Sequence, residues 1–246
     1  MGPDISRVVY NHPSLPSSWE ERWLSAPARS VPPAACGDSR SPGSPKACVV
    51  LARWDRTVDT GSRGALLFDR FWRKLLASAP AAQLWKVPFD AADPVRTPHT
   101  LDTAAPAVAR SLADAVAELN AAGIALDSKL GEHQFVVRDG KRIPVPGGTE
   151  SLGIWNKTEG VWNAAAGGYP EVSTGSSHIQ AVGWDGGRCP VARTLLTYSQ
   201  SSNPNSPHYS DQTELFSDKR WVTSRFCERD ILNSPALKVV RASEHR

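Results

Sequence analysis

Four residues in the stretch YSQSSNPNSPHYSDQTELFS, Tyr198 to Ser217, have side chains that could do covalent chemistry: Ser199, Ser201, His208 and Asp211. Together they offer a hydroxyl nucleophile, an imidazole base and a carboxylate to orient it. The same residue types also make turns. Asn-Pro and Ser-Pro are turn dipeptides, and Ser, Asn and Asp hydrogen-bond to nearby backbone in turns and caps. A nucleophile elbow needs G-x-S-x-G; GTESLG at 148–153 is off by one residue, and TGSSHI lacks the second glycine. Members of a Ser-His-Asp triad meet in space and seldom come from one loop. The expectation is therefore a turn-and-cap corner that leads into a helix at Asp211.

Other chemistries find less support. Cys36, Cys48, Cys189 and Cys227 show no CxxC and no zinc spacing, and the six histidines are scattered without HxxH or HExxH. No metal site is expected. Cys36 and Cys48 flank a loop-like segment and could form a disulfide in an exported protein. The glycines of GGTESLG do not sit between a strand and a helix, so neither a phosphate loop nor a dinucleotide fingerprint is present. Among the nine tryptophans, Trp54, Trp72 and Trp184 fall in element patterns and read as core, while Trp155 and Trp162 read as loop residues. Asn156-Lys157-Thr158 is a formal glycosylation sequon.

The elements that must position these residues follow from periodicity. With 246 residues, 40% apolar and 22% charged, the chain has an ordinary globular composition and enough length for a core. A net charge of +3 without Lys/Arg clusters argues against nucleic-acid or membrane-surface binding. No run of about eighteen apolar residues is present. The start MGPDISRVVYNHPS lacks a charged region followed by an apolar one, so no signal peptide is expected in this chain. Residues 1–46, rich in Pro, Ser, Ala and Arg, read as a poorly ordered lead-in, and residues 47–246 as the ordered domain. CVVLARW (48–54) suits a buried strand.

Leu67, Phe68, Phe71, Trp72, Leu75 and Leu76 make one face of a helix over 64–77. A second helix spans about 104–122, with Val108, Leu112, Ala115, Val116 and Leu119 on its stripe, Asp102 or Thr103 as cap and Gly123 after its end. HQFVVRDGKRIPV (133–145) predicts a hairpin at Asp139-Gly140, because Gly accepts the positive φ of a type I′ turn. HIQAVGWDGGRCPVARTLLTYSQ (178–200) predicts another, turning at Asp185-Gly186-Gly187. Short helices over about 211–220 and 228–232 and a last strand LKVVRA complete an α+β outline with antiparallel pairs.

Several blocks in order resemble one family. They are ARWD and DTGSRGALLFDRFWR (52–73), WKVPFDAADPVRTP (85–98), AAGIALDSKLGE (121–132), RIPVPGG (142–148), GSSHIQAVGWDG (175–186) and YSQSSNPNSPHYSDQTELFSDKRW (198–221). Together they are similar to the C-terminal part of the β subunit in the penicillin acylase family of N-terminal-nucleophile hydrolases, in the branch of acyl-homoserine lactone, aculeacin and penicillin V acylases. That resemblance implies part of a four-layer αββα sandwich with antiparallel sheets, and hydrolysis of an amide that joins an acyl chain to an amine-bearing nucleus or lactone.

In this family a serine at the start of the β subunit attacks, with its own α-amine as base, and an asparagine and a backbone N–H hold the oxyanion. All of these precede the matched region. The resemblance therefore implies no catalytic, cofactor-binding or metal-ligating residue in this chain, no cofactor, and no activity for it alone. Its expected partners are the upstream part of the acylase and a small amide substrate, in an extracellular or periplasmic setting. Two departures stand out. Where glutaryl-type cephalosporin acylases carry a glutamate supporting the active-site histidine, this chain has Gly183. Where relatives read His-Gly-Gly, it has Pro146-Gly147-Gly148. The other reading is a non-catalytic exported binding or structural module of acylase ancestry.

Overall fold

The computed structural model describes residues 44–240, apart from 95, 103, 150, 152–155, 170 and 185. The lead-in up to 43, Cys36 with its expected bridge, Trp155 and Asp185 lie outside the described residues.

Three helices form the first core. Helix α1 (Ser44–Arg53) occupies the segment expected as a strand. Ala47, Val50, Leu51 and Trp54 repeat at helical spacing and are buried, whereas Val49 between them is half exposed. A short apolar run is ambiguous by composition, and here the 3.6-residue period decides, with Pro45 near the helix start. Helix α2 (Ala65–Ser78) buries Ala65, Leu66, Leu67, Phe68, Arg70, Phe71, Trp72 and Leu75, a wider face than the expected stripe. It starts beside Gly64, whose φ of 96° is left-handed and where a Cβ would come within 3.0 Å of the Trp54 Cβ. Helix α3 (Pro106–Ala121) buries the expected stripe plus Ser111. Its N-cap is Ala105; Asp102 acts just upstream, accepting the N–H of Ala104 at 3.1 Å. Gly123 follows with φ of 68°.

The remaining chain is β-rich, and among the described residues every strand ladder is antiparallel, with one isolated parallel bridge between Gly148 and Lys157. Strands β1 (Trp85–Val87) and β2 (His99–Leu101) pair, as do β3 (Phe135–Arg138) and β4 (Lys141–Pro144). Asp139 and Gly140, at φ 51° and 72°, make the type I′ turn between β3 and β4. Strands β5 (Thr158–Gly160) and β6 (Val172–Gly175) form a third ladder. Strands β7 (His178–Gly183), β8 (Val191–Leu196) and β9 (Val222–Ser224) form a three-stranded sheet in that order. Helix α4 (Asp211–Ser217) and helix α5 (Glu228–Leu232) follow the expected positions. Of the expected last strand, the described residues Leu237 to Val240 run as exposed, irregular chain, and β9 supplies the third strand of the sheet. Trp54 and Trp72 are core, but Trp184 is 66% exposed because it leaves β7 at the hairpin end. A second core of Val136, Ile143, Val145, Val172, Ile179, Leu195 and Phe216 joins these strands to α4.

A buried polar network ties the helices to the β-rich part. Arg70 donates Nε–H to Glu118 Oε2 at 2.7 Å and a second N–H to Oε1 at 3.2 Å, a bidentate pair between α2 and α3. Another guanidinium N–H reaches Tyr169 Oη at 3.1 Å, and the group lies 4.3 Å from the Trp162 ring centre. Tyr169 in turn donates to Asp69. Lys74 bonds Glu118 at 3.2 Å, and Arg73 lies between Asp69 (2.9 Å) and Glu159 (3.5 Å). Burial works against the charge on Glu118, but Arg70 and Lys74 outweigh it and hold its carboxyl below the usual range. Glu159 is held low in the same way, burial being outweighed by bonds from Thr149 and Lys157 and by the Arg73 charge. For Tyr169, burial and the Asp69 carboxylate push the phenol up.

Two tests follow. Replacing Arg70 by Ala should lower stability by about 3–5 kcal/mol, the usual result of removing one member of a buried pair. Glu118 and Glu159 titrate lower folded than unfolded. Their contribution is therefore complete above the unfolded carboxylate range, near pH 4.3, and lost as pH falls through the folded values. Urea midpoints at about pH 6 and pH 3 should differ less in Arg70→Ala than in the parent. Equal midpoints for parent and variant at both values would refute the role given to the network.

Candidate functional site

The corner that holds Ser199, Ser201, His208 and Asp211 is built by three elements. The end of β8 delivers Tyr198 and Ser199, the β3–β4 hairpin brings Arg138 and Asp139 alongside, and α4 begins at Asp211. Ser199 stands at φ 61°, in the left-handed region. This turns its Oγ toward α4, where it accepts the backbone N–H groups of Gln212 (3.1 Å) and Thr213 (3.0 Å). The first turn of α4, whose own N-cap Ser210 makes no side-chain cap bond, is thus capped from eleven or more residues upstream. Ser199 Oγ also meets the fully buried Thr213 Oγ1 at 3.1 Å.

His208 and Asp211 do pair, Nδ1 to Oδ2 at 2.9 Å, on the surface. Slight burial raises the Asp211 carboxyl, but the bonds from His208 and the Gln212 N–H and the His208 charge outweigh it, so the group stays low. A relay needs the imidazole between hydroxyl and carboxylate. Among the described residues no hydrogen bond joins the His208 ring to Ser199 or Ser201. Ser201 instead accepts the Asn203 N–H at 3.1 Å, and the backbone carbonyl of His208 accepts from Gln200 and Ser201. Asn203 and Ser206 each close a turn two residues on. The bonds that are made cap a helix and fold a loop.

Beside the corner an open cleft of about 410 Å³ is lined by Arg138, Tyr198, Ser199, Gln200, Ser201, Ser202 and Tyr209. The Arg138 guanidinium lies 5.4 Å from the Tyr209 ring centre and 3.8 Å from Glu171. Burial pushes the Tyr198 phenol up, with the Arg138 charge acting the other way. Hydroxyls, an amide and one guanidinium suit an oxygen-rich ligand surface.

The other sequence-marked positions resolve structurally. Gly147, at φ 118°, presses against the next loop: a Cβ there would meet Asn156 O and Thr158 Oγ1 at 2.5 Å, so the Pro146-Gly147-Gly148 turn admits no side chain at its centre. The sequon is closed, because Asn156 Nδ2 donates to Pro146 O at 3.1 Å and Thr158 is buried on the same carbonyl. Gly183 ends β7 with nothing within 4 Å of a Cβ. Two features escaped the sequence. The Arg70 network had a signal, a charged residue inside the apolar face LLFDRFWRKLL. The disulfide Cys189–Cys227 had none, since pairing cannot be read from spacing. Among the described residues no helix is long and apolar enough to cross a membrane.

Antiparallel ladders, a helical layer bonded to them and a scaffold-like corner define an α+β domain of the N-terminal-nucleophile hydrolase type. Residues 17–233 match the family model for penicillin amidase, and the chain belongs to that family. It is 39% identical over 202 residues to acyl-homoserine lactone acylase PvdQ of Pseudomonas syringae pv. syringae, covering 80% of this chain and 25% of that protein. It is 37% identical over 200 residues to aculeacin-A acylase of Actinoplanes utahensis, covering 80% and 24%. The chain thus spans about a quarter of the length of the curated relatives it matches.

If Ser199 is a cap, Ser199→Ala should cost about 1–2 kcal/mol, and His208→Ala, at an exposed pair, less than about 1 kcal/mol. Thermal melts of the two variants read the order directly. A larger loss for His208→Ala would contradict it.

Proposed function

We propose that this chain is one part of an amide-hydrolysing acylase, which removes an acyl side chain from an acyl-homoserine lactone, lipopeptide or penicillin type of substrate. The observation that carries this reading is the family match over most of the chain, together with relatives named as acylases on acyl-homoserine lactone and aculeacin A. In this reading the attacking serine, its α-amine base and the oxyanion asparagine belong to a segment other than the matched quarter. The serine oxygen adds to the amide carbonyl, the amine leaves with a proton from the base, and water releases the acyl group. The residues described here contribute the scaffold behind that site. The corner supports this role, because Ser199 Oγ is committed to the N–H groups of Gln212 and Thr213.

Partnership with the rest of the acylase is supported by the sheets. Strands β7 and β9 each have one neighbour among the described residues, so both edges offer backbone groups to a further strand. An extracytoplasmic setting is supported by the Cys189–Cys227 disulfide, since such bonds persist in oxidising compartments.

The test measures release of homoserine lactone from a long-chain acyl-homoserine lactone. The isolated chain should show no turnover. A polypeptide joining it to the preceding three-quarters of a family acylase should show turnover that survives Ser199→Ala, scaled to folded protein. Activity of the isolated chain that disappears in Ser199→Ala would overturn the proposal.

A further inference from the structure

We propose that Cys189, Cys227 and Asp230 form a redox-gated site for a thiophilic dication of the zinc class, closed while the two sulfurs are bonded and opened by a dithiol reductant. Cys189 lies in the β7–β8 connection and Cys227 immediately precedes α5; their Cα atoms are 5.9 Å apart. Asp230 is fixed three residues past Cys227, its N–H bonded to the Cys227 carbonyl at 2.9 Å. Its Oδ2 lies 3.4 Å from Cys189 Sγ, while Oδ1 turns to Arg229 Nε at 3.8 Å. One sulfur from each cysteine and one carboxylate oxygen fall within 4.8 Å of one another, all on half-buried residues.

That spacing matches a metal. Tetrahedral zinc with sulfur at ~2.3 Å and oxygen at ~2.1 Å separates its donors by roughly 3.5–3.8 Å. The Asp230-to-Cys189 distance is already close to that edge, while the two sulfurs must move apart. Reduction transfers two electrons and two protons from the dithiol to the cysteine pair, leaving two thiols here and a disulfide on the reductant. The thiols then stand beside the Asp230 carboxylate. Binding releases two protons and uses two thiolates and one carboxylate, with a position left for water. Sulfur donors select zinc or cadmium over magnesium or calcium. Either state closes the same loop, the oxidised one by a covalent bond and the reduced one by the metal.

The experiment uses the full chain, reduced with a phosphine, exchanged without oxygen and titrated with Cd²⁺ as probe. A thiolate-to-cadmium absorption band should appear, with one ion per chain by native mass spectrometry, and affinity should be at least about a hundredfold below this in the oxidised chain. Iodoacetamide labelling with and without Zn²⁺, read by peptide mapping, should show Cys189 and Cys227 protected together, independently of Cys36 and Cys48. Cys227→Ser should abolish binding. Asp230→Asn should weaken it at least about tenfold, the loss seen even for outer-shell partners, while the sulfur band persists. If reduction alone loosens the chain, as read by circular dichroism, Zn²⁺ should restore it. Equal binding before and after reduction, protection confined to Cys36 and Cys48, an unchanged Asp230→Asn variant, or failure of Zn²⁺ to restore a loosened chain would each overturn the proposal.

Discussion

The Arg70 guanidinium is the constraint on which the two halves of the domain depend. It is a full charge at a nearly inaccessible position, so leaving it unpaired would cost several kcal/mol. Three of its five N–H groups are engaged and one face is covered: Glu118 on α3 takes two N–H groups, Tyr169 takes another, and the group lies over the Trp162 ring. Tyr169 then hands the network on to Asp69, and Arg73 carries it to Glu159 on β5. Apolar packing brings α1, α2 and α3 together and takes in Tyr169 and Trp162, but it is weakly directional about how the 158–169 segment sits on them. The polar network does specify it, because bidentate and stacked contacts tolerate little displacement.

The corner between β8 and α4 works by the same logic on a smaller scale. A seven-residue helix cannot stand on propensity alone. Its free N–H groups are met by Ser199, and Phe216 anchors it in the second core beside Leu195 and Ile179. A left-handed serine is the geometry that lets one hydroxyl reach both N–H groups. What looks like hydrolytic equipment in the primary structure is therefore the joint between a sheet and a helix.

Legibility in the sequence followed signal strength. Helices α2 and α3 were readable because their apolar stripes run for three turns or more, and the Asp139-Gly140 turn because its backbone demand is specific. Segment 48–54 reads equally as strand or helix, because seven residues carry less than two helical turns of period. Leu237 to Val240 are β-prone, but composition does not create a partner, and β8 pairs with Val222–Ser224 instead. Trp184 looked like core since it continues the β7 alternation, yet the strand ends at Gly183. The capping role of Ser199 was legible as a type of role, but not its partners, which lie thirteen and fourteen residues away. The family resemblance supplied what periodicity could not, and the family match agrees with it.

The bridge between Cys189 and Cys227 encloses the β8-to-α4 segment of the corner, since the two cysteines stand 38 positions apart with the 200–209 loop between them. Exposed loop tips of small polar residues are where proteases cut. A single cut in that loop would leave both pieces covalently joined, with β8 still paired to β9 and Ser199 still facing α4. Such a nick would be silent on a non-reducing gel and visible only after the sulfurs are separated. Tolerance of damage at this exposed loop would then come through connectivity rather than through resistance to the cut.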